Sequence, residues 1–559
     1  MTAAASTLTQ TPPAFSSDRA LEIAQSLYGL EGVVRPLASE RDQNFLIETM
    51  GGRFVLKIAN SAEPLAALEL QNAVLLHLAR LAPDLGTPRV CRTPDRRDIV
   101  CVRSTEKVEH AVRVLTFVDG EVFAGVARSA ALLRNLGGFV GRVVRALQGF
   151  GHPAAHRDLL WDLRSAQRIE AYLEYVTDGE LRELVAYFTK RYKHHVVSYF
   201  DALPVQVIHN DANDHNLLVK DERIVGLIDF GDMLYAPRVC ELAVALAYAL
   251  MNEAAPLSAA REVVAGFNEQ VRLGDDELAV LYDLVAMRLC LSVCIAAWRT
   301  RDLPDNQYLQ ISQQGARRLL KQWRVIHPQI ALGAFRAACG REPVAQAAAV
   351  KSHLAALEGA FAPVLDFDLA AAVKLVLRFT EGSADLAEAS AQGSTAEYSA
   401  VLQRRLTEAG ARVGIGLYGE ARGVYTSEDF AAGEAENERR TVHLGIDLFV
   451  PADTPVHAPL SGEVFSVQNN AARLDYGPTV ILQHHTTAGV AFYTLYGHLS
   501  LATLEHLQVG QQVAAGDRIG WIGSYPHNGD WAPHLHLQLM VDNLDLRGNF
   551  PGVAAPSQL

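Results

Sequence analysis

Cysteine is scarce in this chain. Six occur in 559 residues (Cys91, Cys101, Cys240, Cys290, Cys294 and Cys339), none in a CxxC pair, which argues against a disulfide scaffold. Cys290 and Cys294 stand one helical turn apart in an apolar run, the spacing of core packing. Basic charge is short as well: Lys and Arg number 50 against 63 Asp and Glu, for a net charge of −13. Nucleic acid and anionic membrane reward a basic face, so neither is expected as the main partner. The acid excess is compatible with a cationic substrate and, more plainly, with solubility. Long apolar runs are missing too. The longest, near Ala243–Met251 and Leu289–Trp298, fall short of the roughly 20 residues a bilayer-spanning helix needs. Residues Met1 to Ser17 have neither the basic start nor the apolar centre of a secretory leader. The expectation is a soluble, cytoplasmic chain without a long internal repeat.

What is present suffices for several cores. Apolar residues make up 49% and charged residues 20%, and the length corresponds to roughly three to four domains. The Ala/Ser/Thr/Pro-rich start, 1–17, reads as flexible. Periodicity predicts a helix over Asp18–Leu30, extended segments at Asn44–Glu48 and Arg53–Ile58, and a helix from Pro64 to Leu81. Strands at Ile99–Val102 and Ala111–Phe117 follow, then mostly helix from Ala127 to about Ala202. Strands Val205–His209 and Ile224–Asp229 bracket a polar loop before helices over 238–325. Residues 329–410, rich in alanine, read as a small helical connector. From about 411 the pattern alternates like strands, as in Gly462–Val467, Val480–His484 and His534–Met540. The domain plan is therefore a flexible start at 1–17, a first domain at 18–328, the connector at 329–410, a β-rich domain at 411–549 and a tail or linker at 550–559.

Phosphoryl transfer needs a base near an acceptor hydroxyl, oxygen ligands for a metal, and a cation for the phosphates. Residues 209–216 (His-Asn-Asp-Ala-Asn-Asp-His-Asn) and 228–232 (Ile-Asp-Phe-Gly-Asp) hold the oxygen donors. Asp211 and Asn216 stand at the Asp-x-x-x-x-Asn interval of a kinase catalytic loop. Asp229 follows in Asp-Phe-Gly, and Lys57 closes Phe54-Val55-Leu56-Lys57. A carboxylate and an amide from neighbouring turns can meet across a hard cation such as Mg2+. Each aspartate alone would pass for a solvated turn residue; the ordered set does not. Glu69, on the next helix, would hold Lys57 in place, against the plainer reading of an exposed helical glutamate.

This set resembles the aminoglycoside phosphotransferase/choline kinase family over residues 20–325. Asp42-Gln43-Asn44-Phe45 and Leu68-Glu69-Leu70-Gln71-Asn72 are similar to its hydroxylysine kinase subgroup. The resemblance implies a bilobal protein-kinase-like fold using ATP and Mg2+. It implies Asp211 as catalytic base, Asn216 and Asp229 as magnesium ligands, Lys57 at the α/β-phosphates and His209 as a buttress. Arg113–Asp119 would supply an adenine-contacting hinge. Asn210 stands where the family has glycine, and Asp214-His215 where Pro-Gly is common. Asp214 and Asp232 are candidates to hold a substrate ammonium.

Zinc hydrolases keep three protein ligands and an open fourth position. His534 and His536 alternate along a strand and so face one side. His443 and Asp447 form His-x-x-x-Asp, with Gly445 allowing a tight bend, and His498 ends Thr494-Leu495-Tyr496-Gly497-His498. His484-His485 reads as a solvated strand end. The pattern, with the turns at 459–464 and 510–517, resembles lysostaphin/LytM-type zinc endopeptidases over 411–540. That resemblance implies a mainly antiparallel β-domain, His443, Asp447 and His536 as Zn2+ ligands, and His498 and His534 orienting water and stabilising a tetrahedral intermediate. The cell-wall substrate of such enzymes lies outside the cytoplasm, whereas a kinase needs ATP inside it. A cytoplasmic amide, small peptide or conjugated amine, or a fold kept for docking, stays open.

The order of the two domains resembles the front of larger bacterial fusion proteins in which a class III aminotransferase-like domain follows. Residues 550–557 look like the linker into it, and this chain has no pyridoxal-phosphate lysine motif of its own. The resemblance implies a PLP-dependent aminotransferase-like partner domain or protein, and a homo-oligomer if the chain belongs to such a fusion. The expected fold is multidomain α+β. The expected function is an ATP/Mg2+-dependent phosphotransferase acting on the hydroxyl of a small amine-bearing substrate, an amino alcohol or hydroxylysine-like. The alternatives are a cytoplasmic zinc metallohydrolase (amidase or peptidase) with a ligand-binding kinase-like half, and a scaffold with both sites vestigial.

Overall fold

A computed structural model describes residues 12–39, 41–302, 313–427, 430–431 and 438–556. The expectations for 1–11, for 303–312 of the predicted helical stretch and for 557–559 of the tail lie outside the described residues. The chain divides into two units, Met1–Gly340 and Arg341–Leu559.

In the first unit, Val33–Leu37, Gln43–Thr49, Gly52–Ile58 and Glu109–Thr116 pair antiparallel, and Val90–Cys91 and Val100–Arg103 both pair with the last of these. Phe45, Ile47, Leu56, Ile58, Val112 and Val114 share one face, which Ala20, Ile23 and Ala24 of the helix Ser17–Tyr28 cover. Side chains alternate along a strand, so burying Leu56 and Ile58 obliges Lys57 to leave by the other face. Ser16 caps that helix, its Oγ accepting from Arg19 N at 3.1 Å.

The remainder of the unit is mainly helical: Ala130–Ala146, Gly179–His195, Val239–Ala249, Pro256–Gln270, Asp275–Asp302, Gln313–Val325 and Pro328–Ala338. Two of these touch backbone to backbone. A Cβ on Gly137 would lie 1.9 Å from Val263 O, and one on Gly266 would lie 1.9 Å from Arg134 O. The helix Asp275–Asp302 is long and apolar enough to cross a bilayer, which the short apolar runs did not reveal, but 94% of its apolar window is buried inside the protein. Cys290 and Cys294 lie in that core, as expected. Phe335 and Ala331 of Pro328–Ala338 join the same core, so the first unit runs to Gly340, past the expected boundary at 328. Two antiparallel strand pairs, Val205–Ile208 with Leu234–Pro237 and the hairpin Leu217–Lys220 with Arg223–Leu227, carry the polar loops between them.

The second unit is an eight-stranded sheet in the order Lys374–Leu377, Val413–Gly416, Ile446–Phe449, His534–Met540, Ala491–Gly497, Gly477–His485, Gly462–Asn470, Gln512–Val513. All pairs are antiparallel except the first. Helices stand in the middle of the chain, as expected for 329–410, but that stretch is not set apart: Pro328–Ala338 packs in the first unit, Lys374–Leu377 extends the sheet of the second, and Leu402 and Leu406 of Thr395–Glu408 pack with Leu377, Phe379 and Phe449. Buried Leu377 and Phe379 alternate along an extended segment, and that apolar edge needs a cover. Of the expected tail or linker at 550–559, the described part pairs with the second unit. Val553–Ala554 pairs with Val442–His443, and Leu444 N donates to Gly552 O at 2.9 Å.

Candidate active sites

In the first unit the chain leaves Ile208 through a sharp corner. Asn210 is left-handed, with φ 66, a conformation asparagine tolerates better than most residues with a Cβ. Its N–H donates to Glu241 Oε2 at 2.8 Å. Buried His209 accepts from Asp211 N at its Nδ1 (3.3 Å) and meets the Phe230 ring edge-on at 4.7 Å. It therefore sits where a buttress of the loop would. Asn216 Nδ2 donates to Asp211 O at 2.9 Å and to Asp211 Oδ2 at 2.8 Å. That commits the amide nitrogen and leaves the carbonyl oxygen as the atom able to ligate a cation. Ile228 N donates to Asn216 O at 2.9 Å, tying this loop to the strand end bearing Asp229.

Lys57, Asp211, Asn216 and Asp229 all line one cleft of about 760 Å³. The Lys57 ammonium, against the opposing effect of burial, holds the Asp229 carboxyl down at about 2. Burial pushes Asp211 up to about 7, even though Arg288 Nη2 donates to its Oδ1 at 2.8 Å. A carboxylate poised near neutrality suits a general base. Asn216 and Asp229 offer oxygen only, which fits a hard divalent cation.

Several expected residues stand elsewhere. Glu69 is exposed and has no ion pair among the described residues, because Leu68, Leu70 and Gln71 take the buried faces of its helix. Glu63 lines the cleft instead, 3.5 Å from Arg157. Arg113 is no hinge residue; it is buried and held by Asn72 Oδ1 at 3.0 Å and by Gln71 Oε1. The cleft wall begins further on, at Leu115–Val118. Asp232 is committed to Arg41 at 2.7 Å. Asp214 lies 3.7 Å from Arg128 through Oδ2, and its Oδ1 is buried with no hydrogen-bond partner among the described residues. Arg288, Trp161 and Tyr248 line the cleft as well, and no local spacing announced them.

In the second unit, Ile446–Phe449 and His534–Met540 pair so that Asp447 stands opposite His536. His443 Nε2, His536 Nδ1 and Asp447 Oδ1 form a triangle with sides of 3.0, 3.1 and 3.2 Å. His443 Nδ1 lies 2.9 Å from Leu417 O, an atom that only accepts, so this nitrogen carries the proton and Nε2 holds a lone pair. Gln538 donates through Nε2 to Pro551 O at 3.1 Å, so its Oε1 accepts from His536 Nε2 at 3.1 Å. His536 Nδ1 then also presents a lone pair. Two lone pairs and a carboxylate oxygen converge with no proton between them, an arrangement that calls for a cation. Ligand atoms about 2.0–2.1 Å from a tetrahedral zinc lie about 3.4 Å apart, close to this triangle.

Around the triangle the supports are equally direct. Burial opposes charge on Asp447, yet its carboxyl is held well below the usual range, with Arg422 Nη1 donating to Asp447 Oδ2 at 2.6 Å. His498 Nδ1 donates to Asn528 O at 2.8 Å, and His534 Nδ1 to Ala532 O at 2.7 Å. Both rings thus keep Nε2 as an acceptor, and burial lowers both, His534 to about 4. Their centroids are 4.4 Å apart. All five residues line a cleft of about 670 Å³. Gly445 serves closeness rather than a bend: a Cβ there would lie 2.5 Å from the His536 ring. His484, expected in solvent, is buried, donating from Nδ1 to Ser461 O at 2.9 Å and accepting from Thr494 Oγ1 at 2.7 Å. It is a core histidine; His485 is the exposed one.

Fold and site together define a kinase-like phosphotransferase unit followed by a metallopeptidase-like unit. Residues 33–277 match the Phosphotransferase enzyme family, and residues 441–547 match Peptidase family M23. Hydroxylysine kinase of Bos taurus is 30% identical over 340 residues, covering 56% of this chain and 90% of that protein. Its Danio rerio counterpart is 30% identical over 334 residues, 56% of this chain and 94% of that protein. Lysostaphin of Staphylococcus simulans is 36% identical over 102 residues, 18% of this chain and 19% of that protein. The chain belongs to the phosphotransferase enzyme family, with hydroxyl groups as acceptors, and carries a C-terminal M23 peptidase domain.

Proposed function

We propose that the first unit transfers the γ-phosphoryl group of ATP to the hydroxyl of a small amine-bearing acceptor, an amino alcohol or a hydroxylysine-like compound, in the cytoplasm. The observation that carries this reading is the convergence of Lys57, Asp211, Asn216 and Asp229 on one cleft. Asp211 would accept the hydroxyl proton as the acceptor oxygen bonds to the γ-phosphorus. The bond from that phosphorus to the β–γ bridging oxygen breaks, and ADP departs with the electron pair. Lys57 would hold the nucleotide phosphates and Asp214 the substrate amine. Asn216 and Asp229 would hold Mg2+, which when bound would neutralise phosphate charge. The kinship with hydroxylysine kinases supports this acceptor class. The test is incubation with ATP, Mg2+ and a panel of amino alcohols and hydroxy amino acids. Asp211→Asn should lower kcat about 10²–10⁴-fold, the usual contribution of a general base. Failure of every acceptor would sink the reading.

The lone-pair triangle favours a second activity, zinc-dependent hydrolysis of an amide or peptide bond. His443, Asp447 and His536 would hold Zn2+, which supplies Lewis acidity when bound. His498 and His534, neutral with Nε2 available, would take a proton from the attacking water and return it to the leaving nitrogen. Metal analysis and a peptide and amide library test it; a zinc-loaded protein that cleaves nothing would remove the activity. An O-phosphorylated amine also carries a good leaving group, so a PLP-dependent partner that eliminates phosphate is the consumer we propose for the kinase product.

A further inference from the structure

The acceptor end of the kinase cleft contains an arginine that the phosphoryl-transfer chemistry above does not use. Arg288 lies on Asp275–Asp302, and its side chain is 2% exposed. One donor, Nη2, is given to Asp211 Oδ1 at 2.8 Å. Nε and Nη1 are buried and have no hydrogen-bond partner among the described residues. The guanidinium lies 4.6 Å from the Trp161 ring centre and 5.4 Å from that of Tyr248, which sets aromatic walls around it. Ser292, Ile295 and Arg299 recur on the same side of the helix at intervals of three or four and line the same cleft. A buried guanidinium with two idle donors is unfavourable unless an acceptor arrives, and the group a planar guanidinium matches best is a carboxylate.

The opposite need is met three residues beyond the base. Asp214 Oδ1 is buried with no hydrogen-bond partner among the described residues, its Oδ2 lying 3.7 Å from Arg128, and Asp214 lines the cleft with Asp211 and Arg288. The base is thus flanked by a guanidinium with two unused donors and a carboxylate with one unused oxygen, although each already has one ion-pair partner, Asp211 and Arg128. A polycationic or purely amino-alcohol acceptor would engage Asp214 but would leave Nε and Nη1 of Arg288 without an acceptor. A zwitterion satisfies both.

We infer that the acceptor is a hydroxy amino acid whose carboxylate is received by Arg288 while its hydroxyl faces Asp211. This rests on the kinase reading and narrows its substrate class. The alternative for Arg288 is a purely positional hold on Asp211, and the two differ in one measurable respect. A positional role slows every acceptor alike; a carboxylate contact changes the choice between acceptors.

The experiment uses the full chain with ATP and Mg2+ and compares hydroxylysine, homoserine and threonine with their carboxamides and with the amines left by removing the carboxyl group. The expected result is a kcat/KM higher for the acid by about 10- to 100-fold, the range for a lost charge-assisted hydrogen bond at a buried site. In Arg288→Gln that preference should collapse to within about 3-fold, and Arg288→Lys should restore part of it. Unchanged nucleotide binding certifies that the variants fold; should they not, the wild-type ratio alone decides. Equal use of acid and decarboxylated analogue by the wild-type chain overturns the inference while leaving the kinase standing. So does a uniform slowing of all acceptors in Arg288→Gln. If nothing in the panel is phosphorylated, the kinase reading itself fails and this inference falls with it.

Discussion

Glu241 shows how a single buried side chain writes a pH dependence into the molecule. It sits behind the catalytic loop, accepts from Asn210 N, and burial pushes its carboxyl up to about 7, against about 4.3 in an unfolded chain. The folded state therefore binds this proton more tightly than the unfolded state does. Its favourable contribution is complete below about pH 4.3 and is lost as pH rises through about 7. Asp211 acts in the same sense. Glu241→Gln should accordingly flatten the fall in Tm between about pH 5 and 8, measured by thermal unfolding across that range; an unchanged slope would contradict the assignment. Glu69 makes the opposite point. Its exposure predicts that Glu69→Ala leaves kcat/KM within about 2-fold, since surface changes away from special features have small effects. A loss of an order of magnitude would restore it to the site.

At the scale of elements, the site depends on close approach. Ala130–Ala146 and Pro256–Gln270 can meet as they do because Gly137 and Gly266 lack a Cβ. Gly137→Ala inserts a methyl where only 1.9 Å separates it from Val263 O, so a destabilisation of about 1–3 kcal/mol is expected from overpacking, read by denaturant titration. The sheet of the second unit argues likewise. Strand pairing puts Asp447 across from His536, and the Leu417 and Gln538 contacts then turn both imidazoles so that their lone pairs meet. Zinc should raise the Tm of a fragment spanning 341–559, because a ligand that binds only the folded form stabilises it. His536→Ala should abolish that increment, which differential scanning calorimetry with and without a chelator would show.

For each unit as a whole, the boundary matters more than any single residue. A fragment beginning at 411 would lack Lys374–Leu377 and the helix Thr395–Glu408, exposing Val413–Gly416 as a raw edge and uncovering Phe449. It should be aggregation-prone, whereas one beginning at 341 should stay monodisperse by size exclusion. A soluble, zinc-binding fragment from 411 would refute this division.

Much of the chemistry was readable from local order. Asp211 and Asn216 belong to one loop, His443 and Asp447 to one turn and strand, and His534 and His536 to one strand. Short chain geometry places such neighbours, so their spacing already names the phosphotransferase and the zinc peptidase patterns. The rest came from contacts between distant segments. Glu69 faces outward because its helix buries Leu68, Leu70 and Gln71. Asp211 meets Arg288 from 77 residues away, Asp447 meets Arg422 across a fold of the chain, and residues 374–377 gain their role only from a partner strand. Residue order states which groups exist and which lie within a few bonds of one another. Which of them end up buried together depends on how helices and strands cover their apolar faces, a choice made jointly by many weak contacts along the whole chain.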